Sequence, residues 1–179
     1  MENIEYPIVF TPNVFGDERG YFMETYKKDA VFNNNFVQDN ESKSQKGVLR
    51  GLHFQSPPFA QAKLVRVVRG SAVDVIVDIR KGSPTYGKVY ECFLSEENHT
   101  QFYVPRGFAH GFLALEDNTI FQYKCDNVYN KESEGGVAWD SIDYDWKSWH
   151  EGDFIISDKD KDRVKLSDFD SPFILGENC

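Results

Sequence analysis

The sequence lacks an apolar run long enough to cross a bilayer, and its first residues do not have the pattern of a signal peptide. It has only three cysteines, and none of them form a close pair. A disulfide framework and a zinc knuckle are therefore not indicated, and buried thiols are expected at Cys92, Cys125 and Cys179. With 179 residues and no composition shift, the chain predicts one cytoplasmic domain, 1–179, with a substantial core.

Positive charge is in the minority. The 20 lysines and arginines are outnumbered by 29 aspartates and glutamates, which gives a formal net charge of −9. That balance opposes binding to nucleic acid or to an anionic membrane over most of the surface, so an anionic ligand would need a locally basic pocket. The sequence also has no Gly-x-Gly-x-x-Gly fingerprint, which agrees with a chemistry that transfers no hydride.

The pattern of apolar residues indicates β-structure. Residues 73–79 alternate so that Val73, Val75, Val77 and Ile79 share one face, and residues 119–125 alternate similarly. Turn-forming residues separate short strands at 16–20, 56–58, 81–84 and 116–118. The only modest helix candidates are at 27–34 and in the charged stretch after Trp146. An all-β jelly roll with short peripheral helices is predicted.

Two short motifs carry histidines. They are GLHFQ at 51–55 and PRGFAH at 105–110, and they resemble the paired histidine boxes of a cupin barrel. The first box has Gln55 where a metal-binding cupin has a second histidine, and Lys63 follows shortly after. Zinc or iron needs three or four neutral or anionic ligands, and an ammonium group beside them repels the cation. The motifs therefore predict a cupin-type barrel without a metal and favour acid/base chemistry.

Seven stretches distributed over most of the chain carry a more specific resemblance. They are FGDERGYFMETY from residue 15, FVQDNESKS from 36, GVLRGLHFQ from 47, QAKLVRVVRG from 61, DVIVDIRKGSPTYGK from 74, VPRGFAHGF from 104 and SEGG from 133. In their order and spacing they resemble the dTDP-4-dehydrorhamnose 3,5-epimerase family. The resemblance implies inversion of C3 and C5 of dTDP-4-dehydro-6-deoxy-D-glucose to give dTDP-4-dehydro-L-rhamnose. It implies no cofactor, because the 4-keto group of the substrate acidifies the protons at both carbons.

Such an inversion needs three chemical roles, and the residues offer a candidate for each. A neutral imidazole is a suitable base, so His53 is the first candidate to remove a proton. A cation near the carbonyl oxygen stabilises the enolate, and Lys63 fits that role. A tyrosine phenol such as Tyr123 can deliver a proton to the opposite face of the ring. The resemblance implies the same acceptor and donor.

The resemblance also implies that a carboxylate pairs with His53, and it gives that role to Asp160. Such a carboxylate would fix the tautomer of the imidazole and stabilise the imidazolium that forms. Asp158 and Asp162 are neighbouring alternatives in the same charge-rich stretch.

Substrate contacts and a homodimer are implied by the resemblance as well. Arg19 and Arg50 would contact the phosphates, since guanidinium groups bind phosphate oxygens in pairs. Phe22 and Tyr129 would face the thymine base. Further ligand contacts are implied for Glu24, Gln38, Asp39, Asn40, His110, Glu134 and Lys159. In the implied homodimer, Arg19, Phe22 and Glu24 act in the pocket of the neighbouring subunit.

The spacing of Arg50 and His53 makes a geometric prediction. Residues three apart on a regular strand point to opposite faces, so both can line one pocket only if the strand is irregular. Gly51 lies between them and can host a bulge, so a local break in the strand ladder is predicted there.

The sequence is also compatible with other functions. An epimerase of C3 alone or of C5 alone, or a ketoisomerase of another sugar nucleotide, would use related residues. A cupin module that binds a ligand without turnover needs no acid and base on opposite faces, and a metal-dependent oxygenase fits the ligand count poorly. Asp74 and Asp78 alternate with apolar residues, and we interpret them as a structural, hydrogen-bonded pair outside the catalytic set.

Overall fold

The structure is a computed structural model that describes residues 5–28 and 34–177. Its strands, in chain order, are β1 Ile8–Phe10, β2 Val14–Asp17, β3 Gly20–Met23, β4 Gln38–Ser44, β5 Leu49–Gln55, β6 Lys63–Arg69, β7 Ser71–Asp78, β8 Val89–Ser95, β9 Gln101–Val104, β10 Phe108–Ala114, β11 Thr119–Cys125 and β12 Glu134–Gly136. The single-turn helix α1 is Asp158–Lys161, and 3-10 helices lie at Lys131–Ser133, Trp139–Ser141, Trp146–Ser148 and Leu166–Asp168.

The strands form two antiparallel sheets of five strands each. The first sheet has the order β1-β9-β6-β11-β4 and the second has the order β12-β5-β10-β7-β8, while β2 and β3 pair as a separate hairpin. Side chains from both sheets meet in one apolar cluster, in which the rings of Phe112 and Phe121 stack 4.0 Å apart. The predicted all-β class and jelly-roll architecture of cupin type are confirmed.

Strand β7 shows how the sequence pattern builds the core. All eight of its residues are buried, which explains its nearly continuous apolar character. The four aliphatic residues predicted to share a face belong to one cluster, together with Trp146 and Phe173 from the C-terminal part of the chain. On the other face, Ile76 packs between the sheets in the cluster that contains Phe121. The second sheet is therefore covered on both sides.

Strand β5 has the irregularity that the spacing of Arg50 and His53 predicts. Arg50 pairs with Phe112 of β10, but His53 pairs with His110, so three steps on β5 oppose two steps on β10 and the register shifts. Gly51 has a φ of 133°, and the peptide bond that follows it is cis. A Cβ on Gly51 would lie 2.6 Å from a backbone atom of β10, so only glycine fits. The predicted break is confirmed.

Helical structure is short and peripheral among the described residues. The helix candidate after Trp146 corresponds to the 3-10 helix Trp146–Ser148 and, further on, to α1. Most of the candidate at 27–34 lies outside the described residues. Cys92 and Cys125 are buried free thiols, as expected, whereas Cys179 lies outside the described part of the chain. Within 5–28 and 34–177, the structure contains no helix with the length and apolar character of a membrane span.

Candidate active site

A cavity of about 570 Å³ lies where strands of both sheets approach α1. We call it the central cavity. Eight predicted site residues line it, namely Arg50, His53, Lys63, His110, Tyr123, Glu134, Lys159 and Asp160. A neighbouring cavity of about 350 Å³, the side cavity, adds Gln38, Asn40 and Tyr129. His53, Lys63, Tyr123 and Glu134 line both cavities, so the two form one continuous site around these four side chains.

His53 and Asp160 are in contact although they lie far apart in the sequence. His53 projects from the irregular strand β5, and Asp160 lies on α1, whose N-cap Ser157 accepts a hydrogen bond from the Asp160 amide. The distance from His53 Nε2 to Asp160 Oδ1 is 2.6 Å, and Asp160 Oδ2 accepts from the Gly51 amide at 3.4 Å. Burial raises the pKa of the Asp160 carboxyl, but these hydrogen bonds outweigh burial and hold the pKa below its ordinary value. Asp160 is therefore a carboxylate that accepts a hydrogen bond from His53.

A second histidine forms a chain of polar contacts with an aspartate and a lysine. His110 Nε2 lies 2.7 Å from Asp74 Oδ2, and Lys63 Nζ lies 3.5 Å from His110 Nδ1. If Asp74 accepts the Nε2 proton, Nδ1 is left to accept from the lysine. Burial lowers the pKa of His110 and also that of Lys63. The cavity wall thus holds a neutral imidazole beside a weakly solvated amine.

The interpretation of Asp74 and Asp78 as a pair was wrong. Asp78 instead accepts from Arg80, with its Oδ2 2.8 Å from Arg80 Nη2, while Asp74 binds His110. The strand pattern indicates where Asp74 points. Asp74 and Ile76 are two residues apart on β7, so they share a face, and that face lies between the sheets. A carboxylate buried there needs a polar partner, and sequence spacing does not reveal that partner.

Tyr123 approaches the site from the other sheet. It lies on β11, and Lys63 Nζ is 6.0 Å from the centre of its ring. Burial raises the pKa of the Tyr123 phenol, so it remains protonated and can donate a proton. His53 and Tyr123 therefore reach the same space from opposite sheets.

Glu134 collects several contacts at the boundary of the two cavities. Its Oε1 forms ion pairs with Lys159 and with Arg163, the latter at 3.2 Å, and its Oε2 accepts from the Tyr129 hydroxyl at 2.8 Å. Burial raises the pKa of the Glu134 carboxyl, but the Lys159 and Tyr129 hydrogen bonds outweigh it and hold the pKa low. The sequence did not indicate Arg163, which lies in the charge-rich stretch that follows Asp160.

Arg50 and two amide side chains complete the polar surface of the site. Arg50 Nε donates to Ser44 Oγ at 3.1 Å and leaves part of its guanidinium exposed at the cavity rim. Gln38 Nε2 donates to Asn40 Oδ1 at 3.0 Å, and Gln38 Oε1 accepts from the Tyr129 amide at 2.9 Å. These bonds fix both amides toward the side cavity.

Four predicted ligand contacts are not brought to this site. Asp39 alternates with Gln38 and Asn40 on β4, so it points to the opposite side, where it is 62% exposed and pairs with Lys124. Arg19 and Phe22 lie on the β2–β3 hairpin and line a separate surface groove. Glu24 directly follows β3, and it lines neither the central cavity nor the side cavity of the described structure.

Within the described ranges, the histidine, cysteine and acidic side chains form no group of three or more that could hold a metal ion. His53 and His110 are each engaged with a separate aspartate. Lys63 lines the cavity with both histidines and lies 3.5 Å from His110, and its ammonium form there would repel a cation. The charged groups of the cavity suit proton transfer to and from an organic ligand.

Comparisons with known proteins point to one family. A family model described as dTDP-4-dehydrorhamnose 3,5-epimerase matches residues 2–168. A protein of that name from Methanothermobacter thermautotrophicus is 52% identical over 161 residues, which are 86% of this chain and 86% of the relative. The crystal structure of the Elizabethkingia anophelis epimerase is 48% identical, with a TM-score of 0.85 over 94% of this chain and 95% of that chain.

A ligand complex is also among the similar structures. The crystal structure of dTDP-6-deoxy-D-glucose-3,5-epimerase from Legionella pneumophila in complex with dTDP-4-keto-L-rhamnose is 42% identical, with a TM-score of 0.84 over 94% of this chain and 93% of that chain. The similarity therefore extends across both sheets and across both histidine boxes. The chain therefore belongs to the dTDP-4-dehydrorhamnose 3,5-epimerase family.

Proposed function

We propose that the protein inverts C3 and C5 of dTDP-4-dehydro-6-deoxy-D-glucose and so forms dTDP-4-dehydro-L-rhamnose. The observation that carries the proposal is a proton acceptor and a proton donor on facing sheets. His53 with its carboxylate partner lines the central cavity from the second sheet, and Tyr123 lines it from the first. A sugar ring bound between them meets one of these groups on each face, which is what an inversion requires.

Proton removal is assigned to His53. With the Nε2 proton donated to Asp160, Nδ1 is the free acceptor of a neutral imidazole. It takes the proton next to the 4-keto group, the electron pair of the broken C–H bond moves toward the carbonyl, and an enolate forms. Asp160 holds the tautomer in place and stabilises the imidazolium.

Stabilisation of the enolate is assigned to Lys63, with His110 beside it. The two side chains are 3.5 Å apart and largely removed from solvent, where a donor aimed at a developing oxyanion acts more strongly than in water. Asp74 holds the His110 ring in position through its bond to Nε2.

The second proton is assigned to Tyr123. Its phenol delivers a proton to the face opposite His53, and the phenolate then recovers a proton from solvent while the imidazolium releases one. The same two groups serve the other carbon after the ring has moved. The reaction needs no cofactor, because the substrate carries the carbonyl that acidifies both positions.

The rest of the substrate is assigned to the cavity rim and to a second subunit. Arg50 lines the central cavity and is assigned to a phosphate, and Gln38, Asn40 and Tyr129, which line the side cavity, are assigned polar and aromatic contacts. The β2–β3 hairpin exposes Phe15, Tyr21 and Phe22 by 63%, 61% and 65%. Large exposed aromatic groups favour burial against a partner, so we propose a homodimer in which Arg19, Phe22 and Glu24 complete the neighbouring site.

We also propose that the enzyme works in the cytoplasm. Cys92 and Cys125 are both free and buried, and burial raises the pKa of their thiols to about 12 and about 11. Thiols of this kind are unreactive and fit a reducing compartment.

The test is incubation of purified protein with dTDP-4-dehydro-6-deoxy-D-glucose in deuterium oxide with a chelator, with exchange at C3 and C5 followed by NMR. Wild-type protein is expected to exchange and invert both carbons, and His53→Ala to exchange neither. Exchange at one carbon would limit the activity to a single epimerisation. No exchange in the wild type, with binding of the sugar nucleotide retained, would reduce the protein to a binding module.

A further inference from the structure

We propose that Arg163 is a positioning residue for the His53–Asp160 pair, which it holds by linking Asp160 to Glu134. The proposal rests on the proposed function, since it concerns the readiness of His53 to accept a proton. Arg163 does not line either cavity in the described structure, so it would act through the carboxylates and not by touching the substrate.

The guanidinium of Arg163 lies between two carboxylates of the site. Its Nη2 is 3.2 Å from Glu134 Oε1, and its Nε is 3.9 Å from Asp160 Oδ1, the same oxygen that contacts His53. The Arg163 side chain is only 15% exposed. Its Nε is buried without a hydrogen-bond partner, and the Asp160 carboxylate lies 3.9 Å from that atom. A cation in this environment is weakly screened by solvent.

The backbone directly after Arg163 is tied to the residues directly after β12, which limits the reach of the side chain. Val164 forms a bridge with Val137, and its carbonyl accepts from the Ala138 amide at 2.8 Å. Gly136 of β12 pairs with His53, and a Cβ on Gly136 would lie 2.8 Å from Arg163 Nε. The absence of a side chain at Gly136 therefore creates the space in which the guanidinium lies directly behind the His53 strand.

The position of Arg163 has a consequence for the protonation of His53. Asp160 and Glu134 both favour the imidazolium, and Arg163 counteracts both carboxylates at once. The other charged or titratable groups that line the cavity with His53 are Arg50 on β5, Lys63 on β6, His110 on β10, Tyr123 on β11 and Lys159 on α1. Removing the Arg163 charge leaves these groups in place and deprives both carboxylates of their shared counter-charge, so the acid limb of the activity is expected at higher pH.

The experiment compares Arg163→Gln, Arg163→Lys and a matched control, Lys161→Gln. Lys161 carries the same charge two residues away, but it is 57% exposed and pairs with Asp158, which is 97% exposed. For each protein, kcat/KM for solvent exchange at C5 is measured as a function of pH, because its acid limb reports the free enzyme's base. Thermal unfolding is recorded in parallel.

The acid limb of Arg163→Gln is expected to move up by about half to one pH unit. The acid limb of Arg163→Lys should lie at a pH between those of Arg163→Gln and the wild type. The shorter lysine side chain restores the positive charge, but at a greater distance from the carboxylates. Lys161→Gln should coincide with the wild type. If Arg163→Gln does not fold, the limb of Arg163→Lys decides the question alone.

A purely structural role predicts a lower melting temperature with the acid limb unchanged, and that result would overturn the proposal. A limb that moves down, or that moves equally in Lys161→Gln, would overturn it too. Failure of the proposed function is distinguishable, because wild-type protein would then show no exchange at any pH.

Discussion

Asp160→Asn is expected to lower kcat by about 10,000-fold while leaving the fold intact. In the wild type, Asp160 Oδ1 accepts a proton from His53 Nε2 over 2.6 Å. The amide of asparagine can instead donate to Nε2, which places the remaining imidazole proton on Nδ1, the atom assigned as the base. A wrong tautomer in a His/Asp pair removes about 5 kcal/mol of transition-state stabilisation.

The assay is deuterium exchange at C3 and C5, with Asp158→Asn as the matched control. Asp158 lies on the same helical turn, and its side chain is 97% exposed. We expect Asp158→Asn to retain wild-type rates. In Asp160→Asn, the residual activity should have its acid limb at lower pH, since the imidazolium loses its carboxylate; this is opposite to the shift expected for Arg163→Gln.

The outcome that would refute this reasoning is specific. If folded Asp160→Asn keeps more than about a tenth of the wild-type rate, the carboxylate does not control the tautomer. If Asp158→Asn loses activity to the same extent, the effect belongs to α1 as a whole and not to the contact with His53.

Three further predictions concern the acid, the backbone and the carboxylates. Tyr123→Phe should retain exchange at C3 and C5 but lose inversion by about a hundredfold or more, because His53 can return deuterium to the same face; NMR that finds inversion at the wild-type rate would contradict the assignment. Gly51→Ala should lower the free energy of unfolding by about 3 kcal/mol or more because its Cβ meets β10 at 2.6 Å, whereas Gly82→Ala, with φ of 79° and open space, should cost about 1 kcal/mol; equal urea midpoints would contradict this. The pKa values of Asp160 and Glu134 lie below their ordinary values of 3.8 and 4.5, so the stability they contribute is complete above those values and is lost as pH falls through the lower folded values; a urea midpoint that stays constant below about pH 4 would contradict this.

The sequence predicts the strands well because alternation records burial directly. Residues 73–78 lie in β7 and residues 119–125 form β11, and the spacing of Arg50 and His53 is sufficient to predict the irregularity in β5. These features depend on residues close together in the chain. For these features, the local sequence pattern predicts the same strands that the packed structure contains.

The side-chain partnerships are less accessible from sequence. Asp160 is 107 residues from His53, and its position among several aspartates became distinctive only through family resemblance. Asp74 and Arg163 are not among the site residues predicted from sequence, because the residues next to them in the chain do not show which distant side chain each one contacts. Asp39 was included by the same resemblance, yet its place between Gln38 and Asn40 on a regular strand turns it to the other side. Contacts set by the closure of the barrel require the three-dimensional structure.

The close crossing of β5 and β10 restricts how this sequence can change over time. A Cβ on Gly111 would lie 2.6 Å from the Arg50 carbonyl oxygen and 3.1 Å from the Gly51 Cα, so each glycine occupies the space that a methyl on the other would need. Once either position has gained a side chain and pushed the strands apart, a second substitution meets less resistance, so the two costs are not additive. Gly51 also has a φ of 133°, which a paired replacement would leave strained, so descendants of this chain should keep both glycines. This crossing joins the strands that carry His53 and His110, so the two histidine boxes depend on the same pair of glycines.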